Sequence, residues 1–410
     1  MKACIVCVGS ELTSGRVVNT NAARLAAMLT SLGFCVSRCV AVGDEKEDLI
    51  SELERAFQSS DAVIVTGGIG PTMDDITREA VAEASGARLV EEADALVRIR
   101  ARFASRGIEM PLVNERQAFF PEGSKRIKNP IGTADGWEMK AGKARVIVLP
   151  GVPEEMESML PDTVCILRDV CPSAGIERKI RLFGMGESAV DEKLSGLVGA
   201  ECNPEIGLMA EGGVISVRIL ARGKNHAEVT GLADGAENEI RARLAGWVFG
   251  TGDEGLEHAV ARELERKGRT LSVAESCTGG LICHMLTDVP GISRWFLEGV
   301  VAYSNESKRE SLGVEEALIR EHGAVSEAVA LAMAGGVRER SGSDLAVAVT
   351  GIAGPSGGTP EKPVGLCYIA IIGEKAKECK RYTFGSGRTR VKDRAAKTAL
   401  YLLWRLLTAT

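Results

Sequence analysis

Residues 273–280, Val273-Ala274-Glu275-Ser276-Cys277-Thr278-Gly279-Gly280, bring a hydroxyl, a thiol, a carboxylate and two glycines into one short stretch. Thr270 to Ala274 before it reads as a strand, and Leu281 to Thr287 after it reads as a helix. The reactive side chains therefore fall on a strand–turn–helix. Glycines allow the tight turn, and the N–H groups of a first helical turn offer a place for an anion or a developing oxyanion. Ser276 stands where a nucleophile would be useful. On this stretch alone, capping of the helix by Ser276 or Thr278 is the commoner use of such residues. Three later stretches bear on the choice: Tyr303-Ser304-Asn305-Glu306-Ser307-Lys308, the glycine-rich Thr350 to Gly358, and Lys362-Pro363-Val364-Gly365.

A second candidate site lies near the front. Strand Ala62 to Val65 opens into Thr66-Gly67-Gly68-Ile69-Gly70-Pro71-Thr72-Met73-Asp74-Asp75. Glycines here permit close approach to a phosphate, and the aspartates are hard oxygen ligands suited to Mg²⁺, with Glu11 and Asp44 on neighbouring strand ends as additions. The same residues also read as a glycine-rich turn in which Asp74 or Asp75 caps a helix over Ile76 to Ser85. Both readings stay open from the motif alone.

The elements that must position these residues alternate. Strand Ala3 to Val8, a helix with apolar positions Ala22, Leu25, Ala26, Met28, Leu29 and Leu32, strand Cys35 to Val42, a helix near Glu47 to Phe57 and strand Ala62 to Val65 follow in order. Such alternation predicts a mostly parallel sheet with helices on both faces, and ligands at the carboxyl ends of its strands. From Cys171 to Gly252 the composition shifts toward a small α+β module, entered through Pro172-Ser173-Ala174-Gly175. A third α/β segment starts near Gly255, with a helix of apolar positions Leu256, Ala259, Val260 and Leu264 that Lys267-Gly268 ends, a buried strand Gly299 to Tyr303, a helix headed by Lys308, helix Glu327 to Arg338 and strand Leu345 to Val349. The expected domains are 1–170, 171–252 and 253–410.

At 410 residues the chain is too long for one ordinary core. Apolar runs such as Cys4 to Val8 are strand-length and far short of a bilayer span. The first eight residues run into a strand without the apolar region and cleavage site of a signal peptide, so the expected compartment is the cytoplasm. Eleven cysteines lack paired zinc spacing, and nearly all, Cys35 and Cys39 included, read as buried, reduced thiols. A net charge of −6 and the lack of a basic stripe in the middle module argue against nucleic-acid binding and leave that module a spacer or dimerisation role.

In order along the front, Gly9-Ser10-Glu11-Leu12, Asn19 with Asn21, the run Gly67 to Thr77, and Leu149-Pro150-Gly151-Val152-Pro153 resemble the molybdopterin-binding-like domain of the CinA family, the competence/damage-inducible proteins. That resemblance implies metal-dependent pyrophosphatase activity on ADP-ribose or a related dinucleotide. It assigns Glu11, Asn21, Gly67, Gly68, Gly70 and Thr72 to substrate and Asp44, Asp74 and Asp75 to a divalent metal. One departure is Asp135, which stands where the family has proline in the loop Asn129 to Gly136.

From Gly255 onward the chain resembles the nicotinamide-nucleotide amidase (PncC) domain of the same family. Its motifs are Ala274 to Gly280, Tyr303 to Lys308, His322-Gly323-Ala324-Val325-Ser326, Thr350 to Gly358 and Lys362 to Gly365. The resemblance implies hydrolysis of nicotinamide mononucleotide to nicotinic acid mononucleotide and ammonia, which needs a nucleophile, a base and an oxyanion stabiliser. Of four histidines only His284 and His322 lie near these motifs, and His284 falls on an apolar helix face. Lysine is the remaining base, and Lys308 serves once burial lowers its pKa. Ser276 is then the nucleophile, Lys308 the base and Tyr303 a relay or orienting group. Thr350, Gly351 and Gly354 hold substrate with Gly279 and Gly280, and Arg388 neutralises the phosphate with Arg390 in reserve. Ser386-Gly387-Arg388 replaces the family's Gly-Asp-Arg, and Lys392 stands where a second arginine is common. Cys277 is the rival nucleophile. The amidase needs no cofactor, and a homodimer is expected by analogy. The competing reading is a nucleotide-binding accessory of competence or DNA repair without turnover in the front domain.

Overall fold

A computed structural model describes residues 1–171, 173–199, 202–374, 376–385 and 387–409. Pro172 of the expected linker and Ser386 before Gly387 lie outside the described residues. The chain divides into two compact units, residues 1–177 with 220–234 and residues 178–219 with 235–410, a division that runs through the middle module.

The front sheet has six strands in the order Cys35–Val42, Lys2–Val8, Ala62–Thr66, Ala144–Leu149, Gly136–Ala141, Lys125–Ile127. The first four are parallel and the last two antiparallel. Strand alternation builds two cores. Cys4, Val6, Val63 and Val65 pack with Leu49 and Leu53 on one face, whereas Ala3, Ile5, Cys7 and Ile64 pack with Leu25 and Leu29 on the other. Cys4 and Cys7 thus face opposite ways. All eleven cysteines are free, but Cys35, Cys39, Cys165 and Cys202 are exposed, the first two because the Cys35–Val42 strand is an edge whose odd positions face solvent. The expectation of buried thiols fails at those four.

The middle module is α+β: four strands, ordered Glu205–Glu211, Val214–Gly223, Ala174–Phe183, Val248–Thr251, with helices Glu187–Lys193 and His226–Arg243. The C-terminal sheet is ordered Phe296–Val301, Leu271–Glu275, Leu345–Gly351, Leu366–Ile372, Lys377–Thr383, its first three strands parallel. Helices Leu256–Lys267 and Arg388–Thr408 cover one face, and helix Glu327–Ser341 covers the other. Phe296–Val301 is an edge strand of alternating exposure, not the buried strand expected over 299–303. His284 is exposed, 3.7 Å from Asp288, and not a core histidine. Among the described residues no helix is long and apolar enough to cross a membrane.

Candidate functional site

The parallel strands Leu271–Glu275 and Leu345–Gly351 are neighbours in register, with Glu275 beside Val349. Their carboxyl ends therefore deliver the Ser276 turn and the Thr350 loop to one sheet edge. Ser276 is fixed there by its own N–H, which donates to Val349 O at 2.9 Å. Neither Ser276 nor Thr278 caps the following helix. Gly280 occupies the cap position at φ 89°, a left-handed conformation that favours glycine, and makes no side-chain cap bond. The capping acceptor is Glu275, fully buried, whose carboxylate accepts from Ile282 N at 3.1 Å and Cys283 N at 2.8 Å. The first helical N–H groups therefore face the chain's own carboxylate and not an incoming anion, so an oxyanion must find donors in the turn itself.

Lys308 does not head its helix. The helix is Asn305–Leu312, capped by Ser304, whose hydroxyl accepts from Ser307 N at 2.9 Å, and Lys308 sits within its first turns. From there its side chain, 2 % exposed, runs inward until Nζ lies 3.0 Å from Ser276 Oγ and donates to the carbonyls of Ala302 at 2.9 Å and Tyr303 at 3.3 Å. Burial lowers the lysine pKa from its ordinary 10.5, with Cys277 opposing. An unprotonated Nζ would keep two hydrogens for the two nearer carbonyls, with that of Ser304 farther off at 3.5 Å, and turn its lone pair to the serine hydroxyl. That is the arrangement a general base requires.

The other expected residues reach the site in altered ways. Tyr303 is 59 % exposed; it gives Lys308 a backbone carbonyl, while its hydroxyl accepts from Arg388 at 2.6 Å. Arg388 also donates to Gly354 O at 2.8 Å, joining three motifs at the first residue of the Arg388–Thr408 helix. Arg390, on the same turn, is exposed. The hydroxyl of buried Thr350 donates to Ala324 O at 2.8 Å, so it anchors the His322 to Ser326 loop, which Lys362 holds through His322 O and Val325 O. Gly351 packs against Cys277 and Cys367, where a Cβ would collide with both sulfurs, and Cys277 lies buried in the core 4.0 Å from Cys367 Sγ. Lys392, in the sequence only a replacement for an arginine, has a place of its own. Its Nζ lies 3.4 Å from where a Cβ on Gly279 would sit, which puts a second cation beside the nucleophile turn.

In the front unit a cavity of about 580 Å³ is lined by Glu11, Asp44, Gly67, Gly68, Gly70, Asp74 and Asp75, joined by Glu155, which sequence reasoning missed. A Cβ on Gly67, at φ 101°, would sit on the Val8 carbonyl oxygen, so the loop hugs the adjacent strand. Asn21 braces the wall instead, donating to Thr66 Oγ1 at 3.2 Å and Gly151 O at 2.8 Å. Asp75 does not cap the helix, which is Thr77–Ser85 and has no side-chain cap. Its carboxylate accepts from Gly70 N at 2.7 Å, Thr72 N at 2.8 Å and the Thr72 hydroxyl at 2.5 Å, leaving Thr72 tied to the loop. Among the described residues no group of three or more His, Cys, Asp or Glu is arranged to hold a metal, so the expected Asp44, Asp74, Asp75 set is not a preformed cage. Mg²⁺ commonly takes one or two carboxylates and completes its shell with water and phosphate oxygens; Asp44 and Asp74 both line the cavity, Asp44 with one oxygen already accepting from Ser10 N at 2.9 Å.

Asp135, in the loop Asn129 to Gly136, is a buried staple. It accepts from Asn129 N at 2.7 Å and pairs with Arg98 at 2.6 Å and Arg126 at 3.5 Å. Burial pushes its carboxyl up from the ordinary range against the Asn129 amide and the two arginines. Arg98 also donates to Asn129 O and Thr133 O, so the pair holds the loop that brings Thr133 and Ala134 to the cavity.

Comparison with known proteins defines first the class of each part. Residues 4–169 match the Probable molybdopterin binding domain, residues 177–250 the Damage-inducible protein CinA KH domain and residues 253–407 the CinA C-terminal domain. Full-length relatives extend the match. A CinA-like protein of Geobacter sulfurreducens is 43% identical over 413 residues, covering 100% of both chains. A CinA-like protein of Kosmotoga olearia is 40% identical over 99% of both. The crystal structure of competence/damage inducible protein CihA from Agrobacterium tumefaciens is 42% identical, covering 36% of this chain and 91% of that one at a TM-score of 0.36. The chain belongs to the CinA family of competence/damage-inducible proteins.

Proposed function

We propose that the C-terminal domain hydrolyses the amide of nicotinamide mononucleotide, releasing nicotinic acid mononucleotide and ammonia. The observation that carries this is the buried Lys308 Nζ at 3.0 Å from Ser276 Oγ. Ser276 Oγ attacks the carboxamide carbon as its proton passes to Nζ. The C–N bond then breaks while Nζ returns that proton to the departing nitrogen, leaving an acyl ester on the serine. Water, deprotonated by the same Nζ, attacks the ester carbon; the C–O bond to Ser276 breaks as Nζ returns the proton to Oγ, freeing the acid and restoring the serine. Donors for the oxyanion come from the 277–280 turn, because Glu275 holds the helix N–H groups. Arg388, Arg390 and Lys392 open the long Arg388–Thr408 helix, whose N-terminal end favours the substrate phosphate. Ammonia release by the wild type and by Ser276→Ala tests the reading: a folded wild type that binds the mononucleotide without releasing ammonia overturns it.

The front domain, in the same proposal, binds ADP-ribose or a related dinucleotide and cleaves its pyrophosphate. Supporting this are the cavity volume, the glycine-lined wall and the carboxylates facing it. Mg²⁺ would be held by Asp44 and Asp74 and would neutralise phosphate charge there. A second reading, nucleotide binding without turnover, is favoured by the lack of a preformed metal group among the described residues. Mg²⁺-dependent release of AMP from ADP-ribose decides between them.

A further inference from the structure

Behind the Gly67 to Asp75 loop stand two residues whose part no sequence motif reveals. Four consecutive loop carbonyls are held by the start of one helix. Gly67 O accepts from the Thr77 hydroxyl at 2.8 Å and Gly68 O from Thr77 N at 3.0 Å. Ile69 O and Gly70 O accept from the two arms of the Arg78 guanidinium, the second at 3.0 Å. Arg78 is 1 % exposed, among the largest fully buried side chains of the molecule.

A trans peptide is planar, with its N–H directed opposite to its C=O. Holding the carbonyls of Gly67 and Gly68 against the Thr77–Ser85 helix therefore turns the N–H groups of Gly68 and Ile69 the other way. Both residues line the cavity. The next N–H along, that of Gly70, is taken by Asp75 Oδ1, and that of Thr72 by Asp75 Oδ2, so the carboxylate closes the far end of the loop. Two successive N–H groups aimed at one point make an anion-binding concavity. Arginine suits the task behind it because its planar fork can hold two carbonyls at once, which a lysine ammonium on a flexible stem does less well. Burial lowers the Arg78 pKa only to about 10, so it remains a cation at neutral pH behind the loop.

We infer that Arg78 and Thr77 are positioning residues for a phosphate subsite of the front cavity, in which the N–H groups of Gly68 and Ile69 receive one phosphate of a nucleotide carrying a pyrophosphate. The inference rests on the front-domain reading above. Neither residue touches the ligand; each acts by fixing the peptide planes that do.

The test is calorimetric titration of the full-length chain with ADP-ribose, comparing wild type, Thr77→Val, Thr77→Ser and Arg78→Lys, each checked for folding by circular dichroism. Thr77→Val keeps the backbone bond to Gly68 O but loses the hydroxyl bond to Gly67 O, and is expected to weaken binding about 5–10-fold. Thr77→Ser restores that hydroxyl and is expected to bind within about twofold of wild type. Arg78→Lys is expected to weaken binding by about 10-fold or more, and should it fail to fold the two Thr77 variants still decide. Equal affinity in Thr77→Val and wild type overturns the inference, and so does equal loss in Thr77→Val and Thr77→Ser. A wild type that binds no ADP-ribose overturns the front-domain reading instead.

Discussion

Replacing Lys308 by methionine removes the amine while keeping most of the side-chain length in a nearly closed site. With the amine go its hydrogen bonds to Ser276 Oγ at 3.0 Å, Ala302 O at 2.9 Å and Tyr303 O at 3.3 Å. A positioned general base contributes about 10²–10⁴-fold to rate, so kcat for ammonia release is expected to fall by about 10³, or about 4 kcal/mol of barrier. Stability moves far less. Leaving the Ala302 carbonyl without its amine costs about 1–3 kcal/mol, and removing a desolvated cation offsets part of that, so the unfolding midpoint should stay within about 5 °C. The pH dependence gives a second readout. Because burial lowers the lysine pKa below 10.5, wild-type kcat/KM should rise with pH as Nζ loses its proton, and the rising limb should vanish in Lys308→Met. Linkage has a matching sign: the folded chain sheds this proton at lower pH than the unfolded chain, so the Lys308 contribution to stability improves as pH rises from the folded pKa toward 10.5. A folded Lys308→Met enzyme within fivefold of wild type, or one that keeps the limb, would refute the assignment of Lys308 as base.

Glu275→Gln replaces one charged acceptor of a helix N–H by an amide that must turn its NH₂ toward another N–H. It should lower the unfolding midpoint by several degrees, at about 1.5–3 kcal/mol, and slow acylation of Ser276 by a fluorophosphonate probe; unchanged labelling would mean the turn does not depend on this carboxylate. Cys277→Ala removes a thiol that packs on Cys367 at 4.0 Å, and its kcat should stay within about threefold of wild type on the strength of an intact Ser276–Lys308 pair. Loss of turnover in that variant alone would transfer the nucleophile to the thiol. Gly67→Ala puts a methyl on the Val8 carbonyl at a left-handed φ, and should abolish ADP-ribose binding while leaving ammonia release unchanged; retained binding would show that the loop can move off the strand.

Periodicity made the doubly covered sheets legible because their strands are short apolar runs between helices of regular spacing. The run Ala62 to Thr66 is buried at every position, and the Cys35 to Val42 strand matches its expected bounds. The close approach of Ser276 and Lys308 was anticipated where residue type limits the choice: with His284 read as a core residue, lysine was the remaining candidate base, although His284 proves exposed. Three things were not legible. Exposure of Cys35 and Cys39 depends on which strand ends the sheet, a property of strand order and not of local sequence. The role of Glu275 depends on a carboxylate folding forward onto the next helix, and no spacing rule for Ser or Thr caps predicts it. Residue Asp135 looked like a loop change, yet Arg98 from a distant helix and Arg126 from the strand before the loop complete a buried cluster around it. Pairings at such separations leave no local signal.

The two glycine-rich turns share a placement but use opposite means to decide which backbone groups meet a ligand. Both follow a central parallel strand and both precede a helix, which is where phosphates and oxyanions are commonly received. At Ser276 the first helical N–H groups are occupied by Glu275, so the positive end of that short helix is neutralised from within. In the proposed amidase reaction Lys308 would then lose its proton beside a serine without a phosphate being drawn onto the nucleophile, and the cations at the start of the Arg388–Thr408 helix would take the charge of the substrate. At Gly67 the reverse holds. There the carbonyls are occupied, by Thr77 and Arg78, and the N–H groups of Gly68 and Ile69 stay open toward the cavity. On the proposed reading, one turn serves attack on a neutral amide and the other holds an anion. In each the deciding side chain comes from outside the glycines: Glu275 from the strand end before its turn, Thr77 and Arg78 from the helix after theirs.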